Sequence, residues 1–154
     1  MNHWMLKTEP AAFSLEELQK RPKRTTHWDG VRNYQARNTL RDAMKVGDEA
    51  FIYYSSCATP GIAGIVRITR GGYPDHTALD RKHAHYDPAA TADNPRWYMV
   101  DAQLVRRLSR IITLEELRAH ANGNLKGMVL LRAGNRLSVM PVESTHWHFI
   151  LTLE

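Results

Sequence analysis

Two runs of the chain, Gly61 to Arg70 and Trp97 to Arg107, alternate apolar and polar side chains over about ten residues each. A period of two belongs to strands with one buried face, so these runs commit the chain to a sheet. In the first run Ile62, Val66 and Ile68 are predicted to share a face. Three shorter segments add to it: His3 to Thr8, with Trp4 and Leu6 on one side; Glu49 to Ser55, rich in aromatic and β-favouring residues; and Leu137 to Val142.

Helix signals are interleaved with these strands. In Phe13-Ser14-Leu15-Glu16-Glu17-Leu18 a serine N-cap stands three residues before a glutamate, and Phe13 and Leu18 can close a hydrophobic staple. Ile112-Thr113-Leu114-Glu115-Glu116-Leu117 repeats that capping pattern. A third helix is predicted to start near Asn33, with Ala36, Leu40, Ala43 and Met44 on one face and Gly47 as its stop. A fourth follows Ser144 and carries Trp147, Phe149 and Ile150. Strands with scattered short helices predict an α+β fold built on a curved sheet or small barrel. No repeat or linker divides residues 1–154, a length that one core serves, so a single domain is expected.

Composition narrows the function classes. At 43% hydrophobic and 24% charged, the chain has ordinary globular proportions, which argues against disorder. No apolar run approaches the roughly 18 residues of a membrane span and no basic-then-apolar leader opens the chain, so a soluble, cytoplasmic protein without membrane contact is expected. The single cysteine, Cys57, excludes an internal disulfide and a multi-cysteine zinc site. The 21 basic residues exceed the 16 acidic ones, a balance that favours polyanionic partners.

Three clusters concentrate chemistry. Thr26-His27-Trp28-Asp29-Gly30-Val31-Arg32-Asn33-Tyr34 lies between elements, where a ring can stack a base and Asn33 can bond a base edge; a core tryptophan and a helix-capping asparagine are the alternative. Tyr53-Tyr54-Ser55-Ser56-Cys57 brings hydroxyls to a strand end. The polar stretch from Gly71 to Arg96 holds Asp75, His76, Asp80, His83, His85 and Asp87; His83 and His85 can face one side, but no third metal ligand has a convincing spacing, and loop packing is the alternative. No phosphate-binding glycine loop, nucleophile elbow or zinc-protease helix is present, so no catalytic signature exists.

Several stretches, in order along nearly the whole chain, resemble the EVE domain family. They are Trp4-Met5-Leu6-Lys7-Thr8-Glu9-Pro10, Trp28-Asp29-Gly30-Val31-Arg32-Asn33-Tyr34-Gln35-Ala36-Arg37-Asn38, Tyr54-Ser55-Ser56-Cys57, Pro60-Gly61-Ile62-Ala63-Gly64, Tyr73-Pro74-Asp75-His76-Thr77, Asn94-Pro95-Arg96-Trp97-Tyr98-Met99-Val100-Asp101 and Asn135-Arg136-Leu137-Ser138-Val139. Thr8 stands where many members have serine, and Tyr54-Ser55-Ser56-Cys57 where a His-Ser-Asn version is common; both alter the polar lining of the pocket.

The resemblance implies a PUA-like curved β-barrel with surrounding helices, kin to the YTH domains that read methylated adenine in RNA. It implies a non-catalytic reader of a flipped, modified base, with modified cytosine in DNA favoured over RNA. In bacteria it carries an association with defence against modified phage DNA, so a nuclease partner belongs to the expectation, as does a monomer. No cofactor and no metal are implied. By position, Trp28 and Trp97 are expected as cage walls, Lys7, Thr8 and Glu9 as pocket lining, and Asn33 and Ser55 as hydrogen-bond partners of the base; Arg32, Arg37 and Arg136 are expected at the phosphate rim. The alternatives are an RNA reader and an enzyme acting on a nucleoside or small nucleotide through Glu9 or Asp29.

Overall fold

The computed structural model describes residues 1–154. In chain order it contains β1 (His3–Thr8), α1 (Leu15–Lys20), β2 (Thr25–His27), α2 (Tyr34–Asn38), β3 (Glu49–Tyr54), β4 (Gly61–Pro74), β5 (Tyr98–Thr113), α3 (Leu114–Ala119), β6 (Val139–Val142) and α4 (Ser144–Thr152). The six strands form one mixed sheet in the order β2-β5-β4-β3-β1-β6. β1 and β3 run parallel at its heart, and every other neighbouring pair is antiparallel. The fold is α+β as expected, but the sheet does not close into a barrel: β2 and β6 remain its two edges.

Both faces of the sheet are covered, and alternation along the strands assigns each side chain to one of two cores. Trp4, Leu6, Ala50 and Ile52 enter a core of 18 buried residues with Leu15, Leu18, Trp28 and Leu40. Met5, Phe51 and Tyr53 enter a second core of 15 on the opposite face, with Leu117, Trp147 and Ile150. Burial on both sides explains why β1 and β3 read as nearly continuous apolar runs. Bulges in β4 alter the simple alternation. Its pairing to β5 shifts between Ile62 and Gly64 and again between Ile65 and Val66. Ile62 therefore belongs to the second core while Val66 and Ile68 face the first, instead of all three sharing a side.

The helix signals operate as capping chemistry dictates. Ser14 accepts a hydrogen bond from the Glu17 amide at 3.3 Å, and Thr113 accepts from the Glu116 amide at 3.1 Å. Asn33 caps α2 by accepting from the Ala36 amide at 3.0 Å. That helix is shorter than its apolar spacing suggests and widens after Asn38 into a π-helical turn over Thr39–Ala43. Gly72 of β4 lies against the turn, where a Cβ would stand 2.7 Å from the Arg41 Cα. Strands β4 and β5 outrun the alternating segments, so the long loop shrinks to the residues between Pro74 and Tyr98. No helix is long and apolar enough to cross a membrane.

Candidate nucleic-acid interface

At the end of β1 the chain turns sharply. The Glu9 carbonyl accepts from the Ala12 and Phe13 amides, both at 2.9 Å, and the Thr8 hydroxyl donates to the Phe13 carbonyl at 3.0 Å. The turn sets Phe13 edge-on to Trp28, with ring centroids 6.1 Å apart and planes at 83°. Trp28 is held from the other side, where its amide donates to the Val100 carbonyl at 2.7 Å as β2 leaves the sheet. Between these two anchors opens a cavity of about 400 Å³. Lys7, Thr8, Ala12, Phe13 and Arg21 border it on one side and Thr26, His27, Trp28 and Asp29 on another; His83 and His85 of the long loop complete it. A cavity of this size suits a small organic group such as a base.

The loop docks through one buried carboxylate. Asp75 accepts from the Gly30 amide at 2.9 Å, from Arg32 Nη1 at 3.0 Å, and from the Thr77 amide and hydroxyl at 2.9 and 2.5 Å. Burial alone would raise its pKa, but these donors hold it below the usual carboxylate range. Arg32 also donates to the His85 carbonyl, from Nη2 at 2.6 Å. Gly30, at φ +80°, passes directly under the His85 ring, and a Cβ there would lie 2.6 Å from Nδ1.

Asp29, His83 and His85 meet at the cavity wall. Asp29 Oδ2 is 3.3 Å from His85 Nδ1 and 3.8 Å from His83 Nε2, and the three ligand-type atoms lie within 4.8 Å of one another. The third partner absent from the loop's own spacing thus comes from the Trp28 cluster. However, His83 Nδ1 accepts from the His85 amide at 3.0 Å, which leaves the ring proton on Nε2, the nitrogen turned toward Asp29. The three side chains form a latch between the loop and the segment after Trp28, closed by the His85–Asp29 contact, with His83 beside it.

Of the residues expected in the pocket, Lys7, Thr8 and Trp28 border the cavity, and Glu9, Asn33, Ser55 and Trp97 do not. The Lys7 ammonium stands 5.6 Å over the ring of Tyr53, its register neighbour, and burial lowers its pKa. Glu9 is exposed, and Asn33 spends its oxygen on the cap of α2. Ser55 pairs through its amide with the Thr8 carbonyl at 3.0 Å. Trp97 is buried behind the docked loop, stacked on Tyr34 at 4.9 Å, with its Nε1 donating to Asp87 at 2.6 Å. Arg32 is engaged with Asp75, and Arg37 donates to the Arg96 carbonyl at 2.7 Å. Arg136 is exposed, two residues before Ser138, whose carbonyl accepts from the Lys7 amide at 2.9 Å. The cavity also takes in Ala12, Phe13 and Arg21, to which sequence reasoning gave no site role, and Thr26, His27, Asp29, His83 and His85, which it placed in chemistry-bearing clusters but not in the pocket. The signal for Thr26, His27 and Asp29 was the density of aromatic and polar side chains around Trp28, and for His83 and His85 the composition of the loop after Gly71.

An open mixed sheet with both faces covered, and an aromatic and polar cavity where the chain leaves β1 and β2, defines the class. The chain matches the EVE domain over residues 2–153 and belongs to that family. Among its relatives, human thymocyte nuclear protein 1 is 48% identical over 99% of this chain and 74% of its own length. The structure of human THYN1 protein in complex with 5-methylcytosine-containing DNA superposes with a TM-score of 0.94 at 47% identity, covering 99% of this chain and 97% of that one. A Pseudomonas putida protein superposes with a TM-score of 0.92 at 48% identity, covering 98% of each chain.

Proposed function

We propose that this protein is a non-catalytic reader that takes a modified cytosine, turned out of DNA, into the cavity beside Trp28. The observation that carries the reading is the likeness to human THYN1 protein in complex with 5-methylcytosine-containing DNA, at a TM-score of 0.94 over 99% of this chain. The cavity is consistent with it. Trp28 and Phe13 offer aromatic surface, and the Asp29 carboxylate is an acceptor of the type that pairs with the exocyclic amino group of cytosine. His27 and Arg21, which also line the cavity, offer donors for the ring's acceptors. Lys7 and Thr8 line the cavity, while Glu9, Asn33, Ser55 and Trp97 act from behind, by holding the turn, the helix and the loop that frame it.

The energetics require this combination. Extracting a base from the stack costs a few kcal/mol. Stacking on an aromatic face returns about 1–3 kcal/mol. Burying one methyl group adds only about 0.8 kcal/mol, roughly a fourfold preference, so strong discrimination needs polar contacts that an unmodified base leaves unmade. The test is a panel of oligonucleotides that differ in one base, as DNA and as RNA. Tightest binding to DNA carrying a modified cytosine is expected, with the ligand recovered unchanged. Equal affinity for modified and unmodified DNA overturns the reading, and preference for the RNA series moves it to RNA.

A further inference from the structure

We infer that the run Lys20-Arg21-Pro22-Lys23-Arg24 is a preformed phosphate clamp that grips the nucleic-acid backbone beside the cavity. The inference rests on the proposed nucleic-acid partner but not on which base is read. Four of its five residues are basic and all five are exposed. Their charge accounts for most of the excess: without them the chain holds 17 basic residues against 16 acidic ones. None of the four pairs with a carboxylate, whereas seven arginines elsewhere do, among them Arg32 with Asp75, Arg106 with Glu154 and Arg107 with Glu16. The run joins α1 to β2, so it leads directly into Thr26, His27 and Trp28. Arg21 itself borders the cavity and lies 5.2 Å over the Phe13 ring.

The backbone of this run is held in an unusual shape. Lys23 and Arg24 adopt φ of 55° and 51°, the left-handed region that L side chains avoid. The shape is over-determined by its surroundings. The Lys23 carbonyl accepts from the Thr25 hydroxyl at 2.9 Å and from Gln103 Nε2 of β5 at 3.1 Å, and the Arg24 amide donates to the Arg21 carbonyl at 2.8 Å. Backbone strain kept in this way marks sites where a fixed presentation matters. Here the result is a turn whose backbone is held in one shape and whose exposed cations lie next to Arg21 at the cavity's border, so little backbone ordering remains to be done on binding. Arg32 and Arg37, by contrast, spend their donors on the protein itself.

The test uses the full chain and two DNA duplexes of one sequence, one carrying a single 5-methylcytosine, titrated from low to physiological salt by fluorescence anisotropy. K20Q/K23N/R24N removes three charges, and asparagine tolerates the left-handed backbone at the last two positions. Affinity for both duplexes is expected to fall by one common factor, about tenfold or more at low salt. The slope of log affinity against log salt should flatten by about 0.9 for each phosphate that is no longer neutralised. K20Q alone, at the end of α1 and outside the strained turn, should flatten it by about one such step. An unchanged slope in a variant that melts like the parent makes the run a solvated face and overturns the inference, as does a loss confined to the methylated duplex. If the parent itself shows no preference for the methylated duplex, the proposed function fails, while the slope on the unmodified duplex still decides the clamp.

Discussion

Arg32 and Asp75 form an ion pair at 3.0 Å in which the carboxylate is fully buried and the guanidinium is a quarter exposed. The pair joins the segment after Trp28 to the start of the long loop, and Arg32 extends the tie to the His85 carbonyl. One wall of the cavity therefore depends on a contact 43 residues apart in sequence.

Asp75→Asn should cost about 3 kcal/mol of stability, because it leaves Arg32 without its counter-charge and turns an amide toward donors. The pH dependence follows from the direction of the shift. Folding holds the Asp75 carboxyl below its unfolded value of about 4, so its contribution is complete above that pH and is lost as pH falls through the folded value. Urea titrations from pH 7 down to pH 3 should show the parent losing this increment in acid. The variant's acid limb should be flatter by that amount, and parallel limbs would contradict the assignment.

Gly30→Ala tests whether the cavity needs His85 where it stands. The added Cβ overlaps the His85 ring, and φ of +80° penalises any side chain. The latch of His85 on Asp29 should open, with a loss of about 1–3 kcal/mol in stability. Binding of methylated DNA should weaken further than stability alone accounts for. Unchanged affinity of the folded fraction would show that the histidine wall has no part in recognition.

The two tryptophans make separable predictions. Trp28→Ala should lower stability by about 3–5 kcal/mol, because Trp28 also belongs to the first core. It should in addition weaken binding of methylated DNA by the folded fraction by about 1–3 kcal/mol, through loss of a stacking surface. Trp97→Phe keeps the ring against Tyr34 but removes the donor to Asp87, so it should lower stability by about 1 kcal/mol and leave the folded protein's affinity within about twofold. Melting curves and binding isotherms on both variants distinguish the roles. An affinity loss in Trp97→Phe matching that of Trp28→Ala would place Trp97 against the base.

Much of the scaffold was legible because it rests on local chemistry. Ser14, Thr113 and Asn33 each cap a helix within three residues, and the apolar runs of β1 and β3 follow from burial on both faces. Strand β2 escaped notice because three residues are too few to show alternation, and its pairing partner lies far along the chain in β5. Openness of the sheet was hidden for a related reason: strand patterns report which faces are buried, not whether β2 and β6 meet. The Trp28 cluster and the loop after Gly71 both announced themselves by composition. That Asp75, His83 and His85 fasten one to the other depends on contacts 43 or more residues apart, which spacing does not encode. Trp97 looked like Trp28 in sequence, and what separates them is a hydrogen bond to Asp87 that only the folded loop creates.

Lys7 supplies a last prediction, in which stability and recognition move apart. It borders the cavity, yet its ammonium stands over Tyr53, and burial lowers its pKa. A lowered lysine pKa means that folding penalises the charged form. The penalty is full below the folded pKa and vanishes as pH rises past the unfolded value of about 10. Lys7→Met keeps the length of the side chain, relieves the desolvation of the charge and gives up the contact over Tyr53, so it should raise stability at pH 7 by no more than about 0.3 kcal/mol. Because the ammonium is turned to Tyr53, affinity for methylated and unmodified DNA should fall by the same small factor. A small rise in melting temperature with an unchanged preference for the methylated duplex is the expected result. A loss of that preference would instead bring the Lys7 ammonium into contact with the base.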